Sequence, residues 1–128
     1  MFRQWTKNGR IEEARIDAGE ITVHLVPASK PLTVTVAGRV TVDSSPDLRS
    51  ALLELIRRGA APIMVLDLSA VSYLDMSGLA TLLEALKAAG ERSLKLRVTG
   101  ISGEARTLVE IAQLDTIFRA WGSEVEFR

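Results

Sequence analysis

Hydrophobic and polar residues alternate along "ITVHLVP" (21–27) and again along "LTVTVAG" (32–38). A period of two puts every second side chain on one face of a strand, and the β-branched Ile, Val and Thr suit that state. The intervening "ASKP" is turn-like, so the two runs predict a hairpin or two neighbouring strands. The period then changes. In "SSPDLRSALLELIRRG" (44–59), Leu48, Ala51, Leu52, Leu55 and Ile56 fall on one face of a helix. Ser45 is the candidate N-cap, Pro46 suits the first helical position and Gly59 the stop. "APIMVLDLS" (61–69) is short and almost continuously apolar, the pattern of a central strand covered on both faces. After Ser77 a second helix face, Leu79, Leu82, Leu83 and Leu86, runs to a stop at Gly90. "SLKLRVTG" (93–100) predicts another strand, and Ser102 caps a helix carrying Ala105, Leu108, Val109 and Ala112. "TIFRAW" (116–121) predicts a last short strand, while "GSEVEFR" (122–128) alternates too briefly to assign.

Strands separated by helices of this length imply βαβ crossovers. The fold class is therefore α/β: a mixed, mostly parallel sheet in a single domain, with helices packed against it by right-handed connections. Residues 1–18 fit neither period, mixing Phe2, Trp5, Ile11 and Ile16 with charges. They are expected to be an N-terminal extension, an extra strand or helix covering a sheet edge or the core of the domain at 19–128.

Composition narrows the function. The 128 residues are 47% hydrophobic and 25% charged, ample for one packed core. Lys plus Arg equals Asp plus Glu at 16 each and the signs are interleaved, so no electrostatic footprint of a nucleic-acid binder exists. There is no cysteine, which excludes disulfides, thiol nucleophiles and thiolate metal sites. No apolar run approaches the length of a bilayer span, and the N-terminus lacks a signal-peptide pattern, so a cytoplasmic address is expected. The single histidine, His24, lies in an alternating strand with no second histidine to share a metal. Asp67 is read as a capping or turn residue at a strand end. The glycines of "AGRV" and "VTGISG" match no phosphate or dinucleotide loop. The chain reads as a binding module with no cofactor, not as an enzyme.

One spot remains chemically suggestive. "YLDMSGL" (73–79) places Asp75, Met76, Ser77 and Gly78 between a strand and the start of a helix. Either Asp75 or Ser77 can cap such a helix. A phosphate on Ser77 would meet the positive helix end, yet add about −1.5 to −2 charges beside Asp75.

"VLDLSAVSYLDMSGLATLLEAL" (65–86) resembles the signature segment of STAS domains, specifically bacterial anti-sigma factor antagonists. "TVAGRVTVDSSPDLRSALLELI" (35–56) and "LRVTGISGEARTLVEIAQLDTIF" (96–118) are similar to the family's first and later strand–helix units. The resemblance implies a partner switch. The unphosphorylated protein would bind an anti-sigma factor serine kinase, phosphorylation of Ser77 would release it, and a serine phosphatase would reset it. It assigns Asp75 as the motif acid, Ser77 as phosphoacceptor and Gly78 as their neighbour, with Met76 in place of a first hydroxyl residue. The kinase-facing loop maps to Gly38, Arg39, Val40 and Thr41, where Thr41 replaces an acid. Asp43 and Ser44 either compensate as partner contacts or begin the next turn. Other relatives are non-switching subunits or scaffolds, such as accessory partners of a lipid-transport ABC ATPase, for which Ser77 would be a contact or a cap.

Overall fold

The two alternating runs pair in register. β4 (Ile21–Val26) and β5 (Leu32–Val40) are antiparallel, with Val23 opposite Val36. The structure is a computed structural model that describes residues 6–7, 10–11, 14–26, 32–59, 61–111, 113–114, 116, 119 and 124–127. Before these strands, β1 (Thr6–Lys7) and β2 (Arg10–Ile11) make a small antiparallel pair of their own. β3 (Ala14–Ala18) is antiparallel to β4 and forms one edge of the main sheet. The turn expected at "ASKP" lies outside the described residues.

Beyond β5 the pattern is strand and helix in alternation. α1 (Ser45–Arg57), β6 (Ile63–Leu74), α2 (Met76–Glu91), β7 (Lys95–Ile101), α3 (Gly103–Ile111) and β8 (Glu124–Phe127) follow in order. The sheet order is β3-β4-β5-β6-β7-β8, with the last three pairings parallel. Each crossover steps the same way along the sheet, so right-handed connections place α1, α2 and α3 on one face. The core confirms this. Leu48, Leu52 and Leu55 of α1, Leu79, Leu82 and Leu86 of α2, and Ala105 and Val109 of α3 share one buried cluster with Val34, Val36, Leu66 and Val98 of the strands. An exposed bidentate ion pair, Arg49 to Glu84 at 2.7 Å, joins α1 to α2.

Four readings of the sequence change. β6 is not covered on both faces: Met64, Leu66 and Leu68 are buried, while Val65, Asp67 and Ser69 between them are only half-buried. The opposite sheet face is polar, its register lining up Arg15, His24, Thr35, Asp67 and Thr99 across five strands. β6 also runs on to Leu74, so Asp67 sits within the strand, where it accepts the Ser69 N–H at 2.9 Å. Second, the α1 N-cap is Ser44, and Ser45 is the first helical residue. Third, Gly90 lies in the last turn of α2, and the left-handed position after the helix belongs to Ser93, at φ 56°. Last, within "TIFRAW" Thr116 and Arg119 are helical, and the final strand is the short alternating Glu124–Phe127. That segment is too short to outweigh its neighbours by pattern and is held by pairing with β7.

Candidate functional site

The carboxyl ends of β5 and β6 lie side by side, and two segments leave the sheet there. One is the loop 41–44 leading into α1, the other is the start of α2. β6 reaches this edge through two irregularities in its pairing with β5: Thr35 faces Asp67 but Ala37 faces Ala70, and Arg39 faces Tyr73. Bulges of this kind bend a strand and re-aim its end. The result brings Val40 opposite Leu74, and the Asp75 N–H then donates to the Val40 carbonyl at 3.1 Å.

Asp75 is the α2 N-cap, which decides between the two caps the sequence allowed. Its Oδ1 accepts the Gly78 N–H at 3.1 Å and the Ser77 hydroxyl at 2.5 Å, and its Oδ2 accepts the Val42 N–H at 3.2 Å. The Ser77 hydroxyl does most to hold the Asp75 carboxyl below its ordinary range. Desolvation opposes the shift, and the backbone N–H groups of Gly78, Ser77 and Val42 reinforce it. Ser77 is half-buried in the first turn, and its oxygen also accepts the Ser45 hydroxyl at 3.2 Å. Met76 projects outward, 63% exposed.

Gly78 is buried. A Cβ there would lie 2.8 Å from Val40 Cγ1 and 2.9 Å from Leu74 Cγ, so its missing side chain lets α2 seat on the two strand ends. Gly38 plays a comparable role within β5. At φ 106° its Cβ would lie 2.1 Å from the Glu20 carbonyl, so only glycine lets β5 pass the turn between β3 and β4.

That close approach delivers Glu20 to the loop. Thr41 donates its hydroxyl to Glu20 Oε2 at 2.6 Å and accepts the Asp43 N–H at 3.2 Å. Ser44 is buried and knits the loop shut, accepting the Thr41 N–H at 2.9 Å and donating to the Arg39 carbonyl at 2.7 Å. Asp43 is exposed. Thr41, Asp43, Ser44, Asp75, Met76, Ser77 and Gly78 thus form one continuous edge of the molecule, with Ser44 and Gly78 inside it and the others at or near its surface. His24 and Asp67 lie on the polar sheet face and take no part.

Three residues at this edge were not anticipated. Val42 is 68% exposed in the loop whose N–H reaches Asp75, and its signal is an apolar residue that fits neither the strand nor the helix face. Glu20 carries no sequence signal, because its contact with Thr41 spans 21 positions. Ser45, a cap by its sequence position, is the first helical residue, and the one-residue shift frees its hydroxyl for Ser77. Among the described residues no group of three His, Asp or Glu side chains could hold a metal ion, and no helix is long and apolar enough to cross a membrane.

A STAS-domain family model, described as "Mlab, STAS domain", matches residues 23–119. The anti-sigma-B factor antagonist of Staphylococcus aureus is 30% identical over 107 residues, covering 83% of this chain and 98% of that protein. An anti-sigma factor antagonist from Mycobacterium paratuberculosis superposes with a TM-score of 0.68 at 25% identity, covering 80% of this chain and 87% of the other. The Bacillus cell fate determinant SpoIIAA, in its phosphorylated form, shares the fold with a TM-score of 0.60 at 15% identity, over 80% of this chain and 89% of its own. The matched residues run from β4 through α3 and include the whole edge around Ser77 except Glu20, so the chain belongs to the STAS domain family.

Proposed function

We propose that this chain is an anti-sigma factor antagonist that binds an anti-sigma factor serine kinase while Ser77 is unmodified. Phosphorylation of Ser77 ends the complex and a serine phosphatase restores it. The observation that carries the reading is the Ser77 hydroxyl held 2.5 Å from Asp75 Oδ1, on an edge that also presents exposed Val42 and Met76. Those two apolar side chains, with Asp43 and Glu20 beside them, suit a partner that offers an apolar pocket and basic groups. A phosphate on Ser77 adds about −1.5 to −2 charges against the Asp75 carboxylate. Like charges forced together in a desolvated interface cost several kcal/mol, and each ~1.4 kcal/mol is tenfold in affinity.

In this reading the ATP and the general base belong to the kinase, and Asp75, which accepts the Ser77 hydroxyl and the Gly78 and Val42 N–H groups, holds the Ser77 oxygen in place. The protein itself acts as a binding module in the cytoplasm, where kinase and ATP are. Residues 19–128 are taken as the switching domain and residues 1–18 as its N-terminal extension, of which β3 (Ala14–Ala18) adds an edge strand to the domain's sheet by pairing with β4.

A second reading, a non-switching STAS subunit or scaffold, draws support from one observation. The Ser77 hydroxyl is satisfied on both sides, by Ser45 and Asp75, as a residue that only starts a helix would be. Mixing the purified chain with each histidine-kinase-like ATPase of its genome and magnesium ATP separates the two. The switch requires one phosphate, mapped to Ser77, with loss of the complex. Ser77→Ala should still bind, and Ser77→Asp should bind at least about tenfold more weakly. No phosphate with any candidate kinase favours the second reading.

A further inference from the structure

Among the hydrogen bonds of the described residues, Ser77 Oγ has two side-chain partners. One is an anion, Asp75. The other is Ser45, whose hydroxyl donates across 3.2 Å. Ser45 is only 6% exposed, and its backbone N–H is already used by the Thr41 carbonyl at 2.7 Å. Its hydroxyl therefore has little access to water and is aimed at Ser77 by the rigid first turn of α1. The basic side chain nearest in sequence, Arg49, is engaged further along with Glu84. Glu20, Asp43 and Asp47 sit on the neighbouring turn, loop and first turn of α1, and Arg39, near the end of β5, lies over the Tyr73 ring at 4.6 Å, so charges of both signs border the edge.

A phosphoryl group on Ser77 changes what each partner does. In the transfer, the Ser77 oxygen forms its bond to phosphorus, the bond between phosphorus and the departing ADP oxygen breaks, and the Ser77 proton leaves to the kinase's base. Ser77 then has no proton left to donate, and its bond to Asp75 becomes a repulsion. The Ser45 hydroxyl keeps its proton, and phosphoryl oxygens extending from Ser77 come within its reach.

We propose that Ser45 is the positioning residue of this site: its hydroxyl steadies the unmodified Ser77 against Asp75, and donates to the phosphoryl group once one is attached. This deepens the switch reading and rests on it. A donor in a sparsely hydrated place favours the dianion, whereas Asp75 disfavours it, so the two set the charge and persistence of the phosphorylated state.

The test installs phosphoserine at position 77 during translation, with no kinase, and follows its second ionisation by 31P NMR. In Ser45→Ala the ionisation should move up by about half to one pH unit relative to the otherwise unchanged protein, as expected for a hydrogen bond that is stronger to the dianion than to the monoanion, which it also reaches. Ser45→Thr should restore it, and Asp75→Asn should move it down. If Ser45→Ala is poorly folded, Ser45→Cys, of similar size with a weak donor, carries the same test. An ionisation unchanged in a folded Ser45→Ala or Ser45→Cys protein, or one that Ser45→Thr fails to restore, overturns the proposal. Failure of every kinase to phosphorylate the wild-type chain bears instead on the switch, so the two are told apart.

Discussion

One carboxylate, Asp75, holds the Ser77 hydroxyl, the cap N–H of Gly78 and the loop N–H of Val42 together. Its lowered pKa has a consequence for stability with a definite sign. A group whose folded pKa lies below its unfolded value stabilises the fold above that unfolded value, here near 3.8, and the contribution disappears as pH falls through the folded value. Asp75→Asn keeps a capping side chain but removes the charge. It should cost about 1 kcal/mol near neutral pH, the difference between a charge-assisted and a neutral hydrogen bond. Urea midpoints of the two proteins should converge as pH falls from 3.8 down through the lowered folded value, where both side chains become uncharged; a gap independent of pH would exclude the charge as its source. The acid–hydroxyl–glycine order of this motif was plain in the sequence. The bond from Thr41 to Glu20 was not, since nothing local to either residue points to the other.

Two elements depend on what their neighbours leave room for. α2 reads as a helix from its Leu face alone, but its seat on β5 and β6 depends on Gly78. Replacing that glycine with alanine gains up to about 1 kcal/mol of helix propensity, and overpacking a tight site costs about 1–3 kcal/mol. Contacts of 2.8 and 2.9 Å against Val40 and Leu74 make overpacking the larger effect, because Leu74 Cγ is not a free side-chain end. Gly78→Ala should therefore lower the thermal midpoint and also weaken partner binding, both measurable on the same sample by calorimetry. A raised midpoint would show that the strand ends yield. β6 illustrates the limit of reading elements singly. "IMVLDL" is apolar enough for a strand buried twice over, and its true end at Leu74 follows from bulged pairing with β5 rather than from its own pattern.

At the scale of the whole molecule, three crossovers stepping in one direction put α1, α2 and α3 on the same side of the sheet. The parity of a strand residue then decides what it tolerates. Val34 is fully buried and Thr35 next to it faces the polar side. Val34→Thr should cost about 1–3 kcal/mol through an unsatisfied hydroxyl, and Thr35→Val should stay within about 0.5 kcal/mol. Similar losses in chemical denaturation would mean that the second face is covered after all. The sequence by itself determined the α/β class, the helix faces, most of the strands and the Asp75–Ser77–Gly78 motif. Each of these is written in local periodicity or in residues at most four positions apart. Tertiary structure alone decided that one sheet face stays polar, that Ser45 rather than a cap faces Ser77, and that Glu20 joins the loop at Thr41. These depend on crossover handedness, bulged register and the close approach at Gly38, which bring together residues that no local pattern connects.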